Sequence, residues 1–121
     1  MKVLVADDSP TQRRIIVQML KRIGYTDVTE AEHGQEALKA LQGQGDFGLL
    51  LTDWNMPIMN GLELVQSVRA EERFKDLKIL MITTRNMKAD IINAMKAGVN
   101  NYVTKPFQPK TLQEKINKIL V

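Results

Sequence analysis

The sequence contains no cysteine and a single histidine, His33. The lack of cysteine excludes a disulfide-bonded scaffold and a thiolate metal centre, and nothing in the composition points to an oxidising compartment. No stretch approaches the roughly 18 consecutive apolar residues of a membrane-spanning helix, and the start MKVLVADDSP has too short an apolar run for a signal peptide. We therefore expect a cytoplasmic protein without a membrane anchor.

Aromatic residues are also scarce, at 5% of the chain, although the 121 residues are 44% hydrophobic. That apolar fraction is sufficient for one domain with a proper core. The net charge of +3 comes from Lys and Arg side chains that are spread along the chain and do not cluster around aromatics. A solvated basic surface is therefore favoured over a nucleic-acid interface.

Short β-rich runs alternate five times with helical patterns, which predicts an α/β domain with a parallel sheet. The predicted strands are residues 2–6, 27–31, 49–52, 78–82 and 101–103. The predicted helices are residues 10–23, a segment around 37–41, 61–70, a segment around 91–95, and 109 onward. In the fourth helix, Ile91, Ile92 and Met95 are expected to face the core.

Polar side chains follow four of the predicted strands. Right-handed crossovers place helices on both faces of such a sheet, and ligands then bind beyond the carboxyl ends of the strands. The residues at those ends are Asp7 and Asp8 after the first strand, Asp53 after the third, Thr83 and Thr84 after the fourth, and Thr104 and Lys105 after the fifth. We expect them to form one site.

Three carboxylates at one edge repel each other by about 4 kcal/mol per pair at 4 Å and an effective dielectric of 20. The oxygen-only ligand set predicts that a hard divalent cation, Mg²⁺, neutralises them. A phosphoryl group could then approach Asp53, which would act as the nucleophile and form an acyl phosphate. Its equatorial oxygens need a hydroxyl and a cation besides the metal, and Thr83 or Thr84 together with Lys105 fit these roles.

Four motifs in this order resemble one protein family over essentially the whole chain. They are DDS at 7–9, TDWNMPIMNG at 52–61, ITT at 82–84 and YVTKPF at 102–107. The sequence resembles the receiver domains of two-component response regulators, and most closely the stand-alone chemotaxis members. The resemblance implies a flavodoxin-like, doubly wound sheet of five parallel strands in the order 2-1-3-4-5, with helices on both faces. It also implies a single receiver domain over residues 1–121, monomeric and without an effector domain.

The resemblance implies the phosphoacceptor and its metal ligands. Asp53 would accept a phosphoryl group from a chemotaxis histidine kinase. Asp8, Asp53 and the backbone carbonyl of Asn55 would bind Mg²⁺, and Asp7 would act through water. Such a protein is a signalling phosphoacceptor that takes part in its own phosphorylation and dephosphorylation, and is not an enzyme.

The resemblance also implies a switch and an output surface. Thr83 and Lys105 would contact the phosphoryl oxygens, Thr83 would move toward them and Tyr102 would turn inward. These changes would alter the surface of helix four, strand five and helix five, which in chemotaxis members binds the flagellar motor switch. The alternative is a phosphate sink or a regulator of a non-motor partner. A phosphatase is a further candidate partner.

Each motif also has a purely structural interpretation. Asp7-Asp8-Ser9 is typical of a turn and helix cap, and Asp53 could begin an Asx-turn. Lys105 could be an ordinary surface lysine, and Tyr102 a half-buried packing residue. The family resemblance adds the expectation of a cis bond between Lys105 and Pro106.

Two other functional classes share parts of this pattern. A flavodoxin-type electron carrier needs a glycine- and hydroxyl-rich phosphate loop after the first strand, where ADDSPTQRR offers acids. A phosphatase of the haloacid type would carry its nucleophile in a D-x-D motif after that strand. Within the receiver family, Arg85 is a departure, because chemotaxis members often carry an acid at that position. Arg85 and Asn55 are therefore expected to modulate the lifetime of the phosphoryl group.

Overall fold

Five parallel strands form the central sheet of the computed structural model, which describes residues 1–120 apart from the side chain of Gln44. The strands are β1 (Lys2–Ala6), β2 (Asp27–Ala31), β3 (Phe47–Thr52), β4 (Lys78–Thr83) and β5 (Asn101–Thr104). They lie in the order β2-β1-β3-β4-β5, so the expected doubly wound topology is confirmed. In the register, Ala6 pairs with Thr52 and Thr83 pairs with Thr104, which brings the carboxyl ends of these strands together.

Five α-helices connect the strands. They are α1 (Pro10–Arg22), α2 (Gly34–Gln44), α3 (Gly61–Arg69), α4 (Lys88–Ala97) and α5 (Pro109–Leu120), with a short 3₁₀ turn at Glu72–Phe74. Ser9 caps α1 by accepting a hydrogen bond from the backbone N–H of Gln12, and Pro10 follows it in the first turn. Gly98 ends α4 with φ of 120°, a conformation that glycine adopts without strain.

The sheet separates two hydrophobic cores because alternate residues of a strand point to opposite faces. Leu4, Leu50 and Met81 belong to the core that α2, α3 and α4 cover. Val5, Leu51 and Ile82 belong to the core beneath α1 and α5. The residues Leu49 to Leu51 are all fully buried, which confirms a central strand covered on both faces.

The prediction for the inward face of α4 is wrong for two of its three residues. Ile92 is 42% exposed and Met95 is 46% exposed, whereas Ile91 packs against the core as a partly buried side chain. Of the ten residues of α4, all of which the structure describes, Ala94 alone is buried. The small side chain of Ala94 packs in the core, and the bulkier side chains of Ile92 and Met95 point outward.

No helix in the described part of the chain has both the length and the apolar character needed to cross a membrane.

Candidate functional site

The predicted acids meet at the carboxyl end of the sheet. One carboxylate oxygen each of Asp7, Asp8 and Asp53 lies within 4.8 Å of the others. The pairing of β1 with β3 places them there, because the backbone N–H of Asp53 donates to the carbonyl of Ala6 at 2.9 Å. Asp7 is 1% exposed and Asp53 is partly buried, whereas Asp8 is exposed to solvent. The cluster is therefore open on the side of Asp8.

Lys105 reaches this cluster from the loop after β5. Its Nζ donates to Oδ2 of Asp7 at 2.9 Å and to Oδ2 of Asp53 at 3.0 Å. Burial lowers the pKa of Lys105, but the hydrogen bonds and negative charges of both acids outweigh burial, so its pKa is raised above the ordinary value. The ammonium therefore stays charged and holds Asp7 and Asp53 close together. The peptide bond from Lys105 to Pro106 is cis, as the family resemblance implied.

The structural interpretation of Asp7-Asp8-Ser9 as a turn and helix cap is confirmed. Oδ1 of Asp7 accepts from the backbone N–H of Ser9 at 2.9 Å, which forms an Asx-turn, while Oδ2 faces Lys105. At Asp53, Oδ1 accepts from the backbone N–H of Trp54 at 2.6 Å. That donor is one residue on, whereas an Asx-turn uses a donor two residues on. Both Asp53 oxygens thus accept hydrogen bonds, Oδ1 from the adjacent Trp54 and Oδ2 from the distant Lys105.

The donor set fits a hard divalent cation. The three carboxylates supply oxygen only, and Mg²⁺ prefers one or two carboxylates while it keeps several waters. Asp8 is exposed and so can turn toward an ion without disturbing the core. Asp7, Asp8 and Asp53 are the residues that could hold Mg²⁺, with the carbonyl of the neighbouring Asn55 as the further ligand implied by the family.

The two threonines at the end of β4 differ in accessibility. Thr83 is fully buried, and its hydroxyl oxygen accepts from the backbone N–H of Arg85 at 3.3 Å. Thr84 is exposed and lines a cavity of about 420 Å³ above the acids. The cavity is lined by Asp7, Asp8, Ser9, Gln12, Asp53, Thr84, Lys105 and Pro106. A role for the Thr83 hydroxyl at a phosphoryl group thus requires the motion that the resemblance implies.

Tyr102 lies inside the protein. Its side chain is 7% exposed, and its hydroxyl donates to the backbone carbonyl of Arg85 at 2.8 Å. Burial raises the pKa of Tyr102 to about 12, with a smaller contribution from the negative charge of Asp90. The phenol is therefore a hydrogen-bond donor throughout the physiological pH range, and its inward position is tied to the loop that carries Arg85.

Arg85 has side-chain partners that the sequence did not predict. Its guanidinium lies over the ring of Trp54, 4.6 Å from the centroid, and its Nε donates to Oδ1 of Asn55 at 3.1 Å. Its Nη1 lies 3.6 Å from Oδ1 of Asp90 in the first turn of α4. The sequence offered one signal for the ion pair, the acid Asp90 five residues after Arg85. This spacing alone does not identify Asp90 as the partner of Arg85.

A larger groove of about 700 Å³ lies between α4, β5 and α5. Ile91, Met95, Tyr102 and Phe107 contribute apolar surface, and Lys115 contributes charge at its edge. Lys88, Lys96 and Lys118 on the two helices are exposed as well. The groove thus combines apolar side chains with one positive charge at its edge, and further exposed lysines lie on the two helices that border it.

The family described as the response regulator receiver domain matches residues 3–117 of this chain. The acids, the lysine and all of the sheet except Lys2 lie within that match. The chain belongs to the response regulator receiver family.

Named relatives narrow the class further. The chemotaxis protein CheY1 of Helicobacter pylori (strain J99) is 58% identical over 120 residues, which are 99% of this chain and 97% of that protein. The CheY homolog of Campylobacter jejuni (strain 81-176) is 57% identical, over 99% of this chain and 92% of the relative. The high-resolution structure of the chemotaxis response regulator CheY4 of Vibrio cholerae superposes with a TM-score of 0.89 at 35% identity, covering 98% of this chain and 97% of that one. This chain is a chemotaxis receiver of the CheY type.

Proposed function

We propose that this receiver accepts a phosphoryl group on Asp53 from a histidine kinase in a Mg²⁺-dependent reaction. The observation that carries the proposal is the position of Asp53 between Lys105 and the open acidic cluster, at the mouth of the cavity. Both its oxygens are fixed by hydrogen bonds, so the carboxylate is pre-oriented for attack. The protein acts as a signalling phosphoacceptor and not as an enzyme on other substrates.

In the proposed transfer, a carboxylate oxygen of Asp53 forms a bond to the phosphorus of a phosphohistidine. The donor's N–P bond breaks, and its electron pair returns to the imidazole of the kinase. Bound Mg²⁺ would supply charge neutralisation for the phosphoryl oxygens. Lys105 would contact one phosphoryl oxygen, because its ammonium already binds Asp53. Thr83 would contact a second phosphoryl oxygen after it moves toward the site.

The proposed output is binding of the flagellar motor switch, in the cytoplasm, by a monomer. The groove between α4, β5 and α5 supports this proposal. Its apolar lining can pack against the apolar face of an amphipathic partner helix, and the lysines can pair with acids on the polar face of that helix. Phosphorylation would shift a pre-existing equilibrium between two forms. A coupling of roughly 1–3 kcal/mol would raise partner affinity about 5- to 150-fold.

A phosphate sink or a regulator of a non-motor partner is the second candidate function. It shares all of the chemistry at Asp53 and differs in lacking affinity for the motor switch.

The test measures binding of the source organism's motor-switch N-terminal peptide with Mg²⁺, before and after addition of beryllofluoride as an acyl-phosphate mimic. Trp54 fluorescence follows the site, because Trp54 adjoins Asp53 and is buried. Tighter peptide binding with the mimic supports the motor function. A Trp54 response without any gain in peptide affinity moves the protein to the second candidate. The Asp53→Asn variant serves as the control and should lose both responses.

Arg85 is proposed to modulate dephosphorylation, since its Nε binds the side chain of Asn55 beside the acceptor. Arg85→Glu should change the decay rate of the phosphorylated protein and leave Mg²⁺ affinity little altered. An unchanged decay would contradict this role. A phosphatase that recognises an acid at this position would fail on this protein.

A further inference from the structure

Helix α4 is held very differently at its two ends. At its C-terminus, the guanidinium of Arg69 donates to the carbonyl of Gly98 at 2.9 Å and to Oδ1 of Asn100 at 3.1 Å. The same guanidinium donates to the carbonyls of Phe74 and Lys75, so several hydrogen bonds fix this end. At the N-terminus, the cap residue Met87 makes no side-chain capping bond within the described chain. The ion pair between Arg85 and Asp90 links this first turn to the loop that follows β4 at the candidate site.

Arg85 joins the site to α4 through both its backbone and its side chain. Its N–H donates to the hydroxyl of Thr83, and its carbonyl accepts from the hydroxyl of Tyr102. Its guanidinium contacts Asn55 and also reaches Asp90. A displacement of Thr83 therefore acts directly on the backbone of a residue whose charged group holds the start of the helix.

We infer that Arg85 is a positioning residue that transmits the state of Asp53 to α4 through its ion pair with Asp90. The inference rests on the proposed function, because it takes Asp53 as the phosphoacceptor. When Thr83 moves toward the phosphoryl group, its hydroxyl leaves the N–H of Arg85 and the loop shifts. The guanidinium of Arg85 moves with the loop, and its attraction to Asp90 moves the first turn of α4 in the same direction. The hydrogen bonds of Arg69 keep the C-terminal end of α4 in place.

The exposure of the pair sets the size of the expected effect. The side chain of Arg85 is 40% exposed and that of Asp90 is 24% exposed, so solvent screens their attraction. A pair of this kind changes an equilibrium constant by roughly 2- to 5-fold. Because the pair is screened by ions as well, its contribution should fall as the salt concentration rises.

The test compares wild type, Asp90→Asn, Asp90→Glu and Asp27→Asn during titration with beryllofluoride and Mg²⁺. Asp90→Asn removes the charge at almost constant shape, whereas Asp90→Glu retains it on a longer stem. Asp27→Asn is the matched control, because Asp27 is an exposed acid at the start of β2 on the far edge of the sheet. Trp54 fluorescence reports the site, and the methyl NMR signals of Ile91, Ile92 and Met95 report α4.

In Asp90→Asn, we expect the Trp54 response to persist and the equilibrium constant for α4 repositioning to fall roughly 2- to 5-fold. Asp90→Glu should retain most of the wild-type α4 response, and Asp27→Asn all of it. Added salt should weaken the α4 response of wild type and leave that of Asp90→Asn unchanged, which a merely structural role of Asp90 would not produce. Equal α4 responses in wild type and Asp90→Asn would overturn the inference. A wild type without any Trp54 response to beryllofluoride would instead defeat the proposed function.

Discussion

Replacing Lys105 by Met tests whether its ammonium holds the acidic cluster together. The substitution keeps most of the aliphatic stem and removes the charge that touches Asp7 at 2.9 Å and Asp53 at 3.0 Å. Each contact at such a distance corresponds to about 5.5 kcal/mol of Coulomb attraction at an effective dielectric of 20. The desolvation of Lys105, whose side chain is 10% exposed, opposes this attraction.

The acids left behind determine the expected loss. Asp7 and Asp53 have oxygens within 4.8 Å of each other, so at the same dielectric they repel by at least about 3.5 kcal/mol. Breaking a buried pair by removing one partner typically lowers the free energy of unfolding by about 3–5 kcal/mol. Since Asp53 keeps 14% of its side chain exposed, we expect Lys105→Met to lose about 3 kcal/mol, the lower end of that range.

The assay is urea unfolding followed by Trp54 fluorescence, in EDTA and in excess MgCl₂. Mg²⁺ at about 100 times its Kd should restore about 2.7 kcal/mol, and the variant should gain more than wild type because its acids lack the competing ammonium. Lys110→Met is the control, since Lys110 is an exposed lysine at the start of α5. The electrostatic account would be refuted if the free energy of unfolding fell by less than about 1 kcal/mol in EDTA. It would also be refuted if Mg²⁺ did not change the stability of the variant.

Three further predictions concern the backbone and the buried phenol. Ile58 has φ of 69° and is 76% exposed, so Ile58→Gly should raise the free energy of unfolding by about 0.5–1 kcal/mol; a lower urea midpoint would contradict this. The pKa of Tyr102 rises from 10.0 to about 12 on folding. The contribution of the neutral phenol to the free energy of unfolding is therefore fully present below pH 10, and about 2–3 kcal/mol of it is lost as the pH rises through the folded value. Tyr102→Phe should therefore show a flatter stability profile in alkali, and identical profiles would contradict the shift. A Cβ at Gly61 would collide with the backbone carbonyl of Asp53, so Gly61→Ala should destabilise by about 1–3 kcal/mol, whereas Gly43→Ala, with open space in α2, should stabilise by up to about 1 kcal/mol when both are compared by thermal unfolding.

The fold could be predicted from the sequence wherever hydrophobic runs coincide with strands. Leu49 to Leu51 are buried because β3 is central and covered on both faces. The failure at α4 has a physical cause. Positions 91, 92 and 95 lie within an arc of about 100° on one side of a helix. Ala94 lies beyond Ile91 on the other side, and the packing partners decide which of the two sides is buried. The sheet neighbour of α4 is the short edge strand β5, so Ala94 approaches it and Ile92 and Met95 point outward.

The part of the candidate site that lies at the carboxyl ends of the strands could be predicted from the sequence. Parallel pairing brings Asp7, Asp53 and Lys105 together, as the motifs indicated. The choice between Thr83 and Thr84 could not be derived from chemistry, because neighbouring residues of a strand point to opposite sides and the sequence does not say which side is buried. The contacts of Arg85 depend on side-chain conformations across two loops, which residue spacing does not encode.

The small buried surface of α4 bears on how its amide protons should exchange with solvent. An element that buries one side chain belongs to the low-stability end of a domain, where segments open well before the whole protein unfolds. We expect the amides of α4 to exchange through such local openings, while those of β1 and β3 exchange only on global unfolding. A coupling of roughly 1–3 kcal/mol is too small to rearrange the buried strands, whereas segments with little buried surface open at a lower free energy than the whole domain. The response to phosphorylation that we propose would thus involve a helix with little buried surface and leave the buried strands in place.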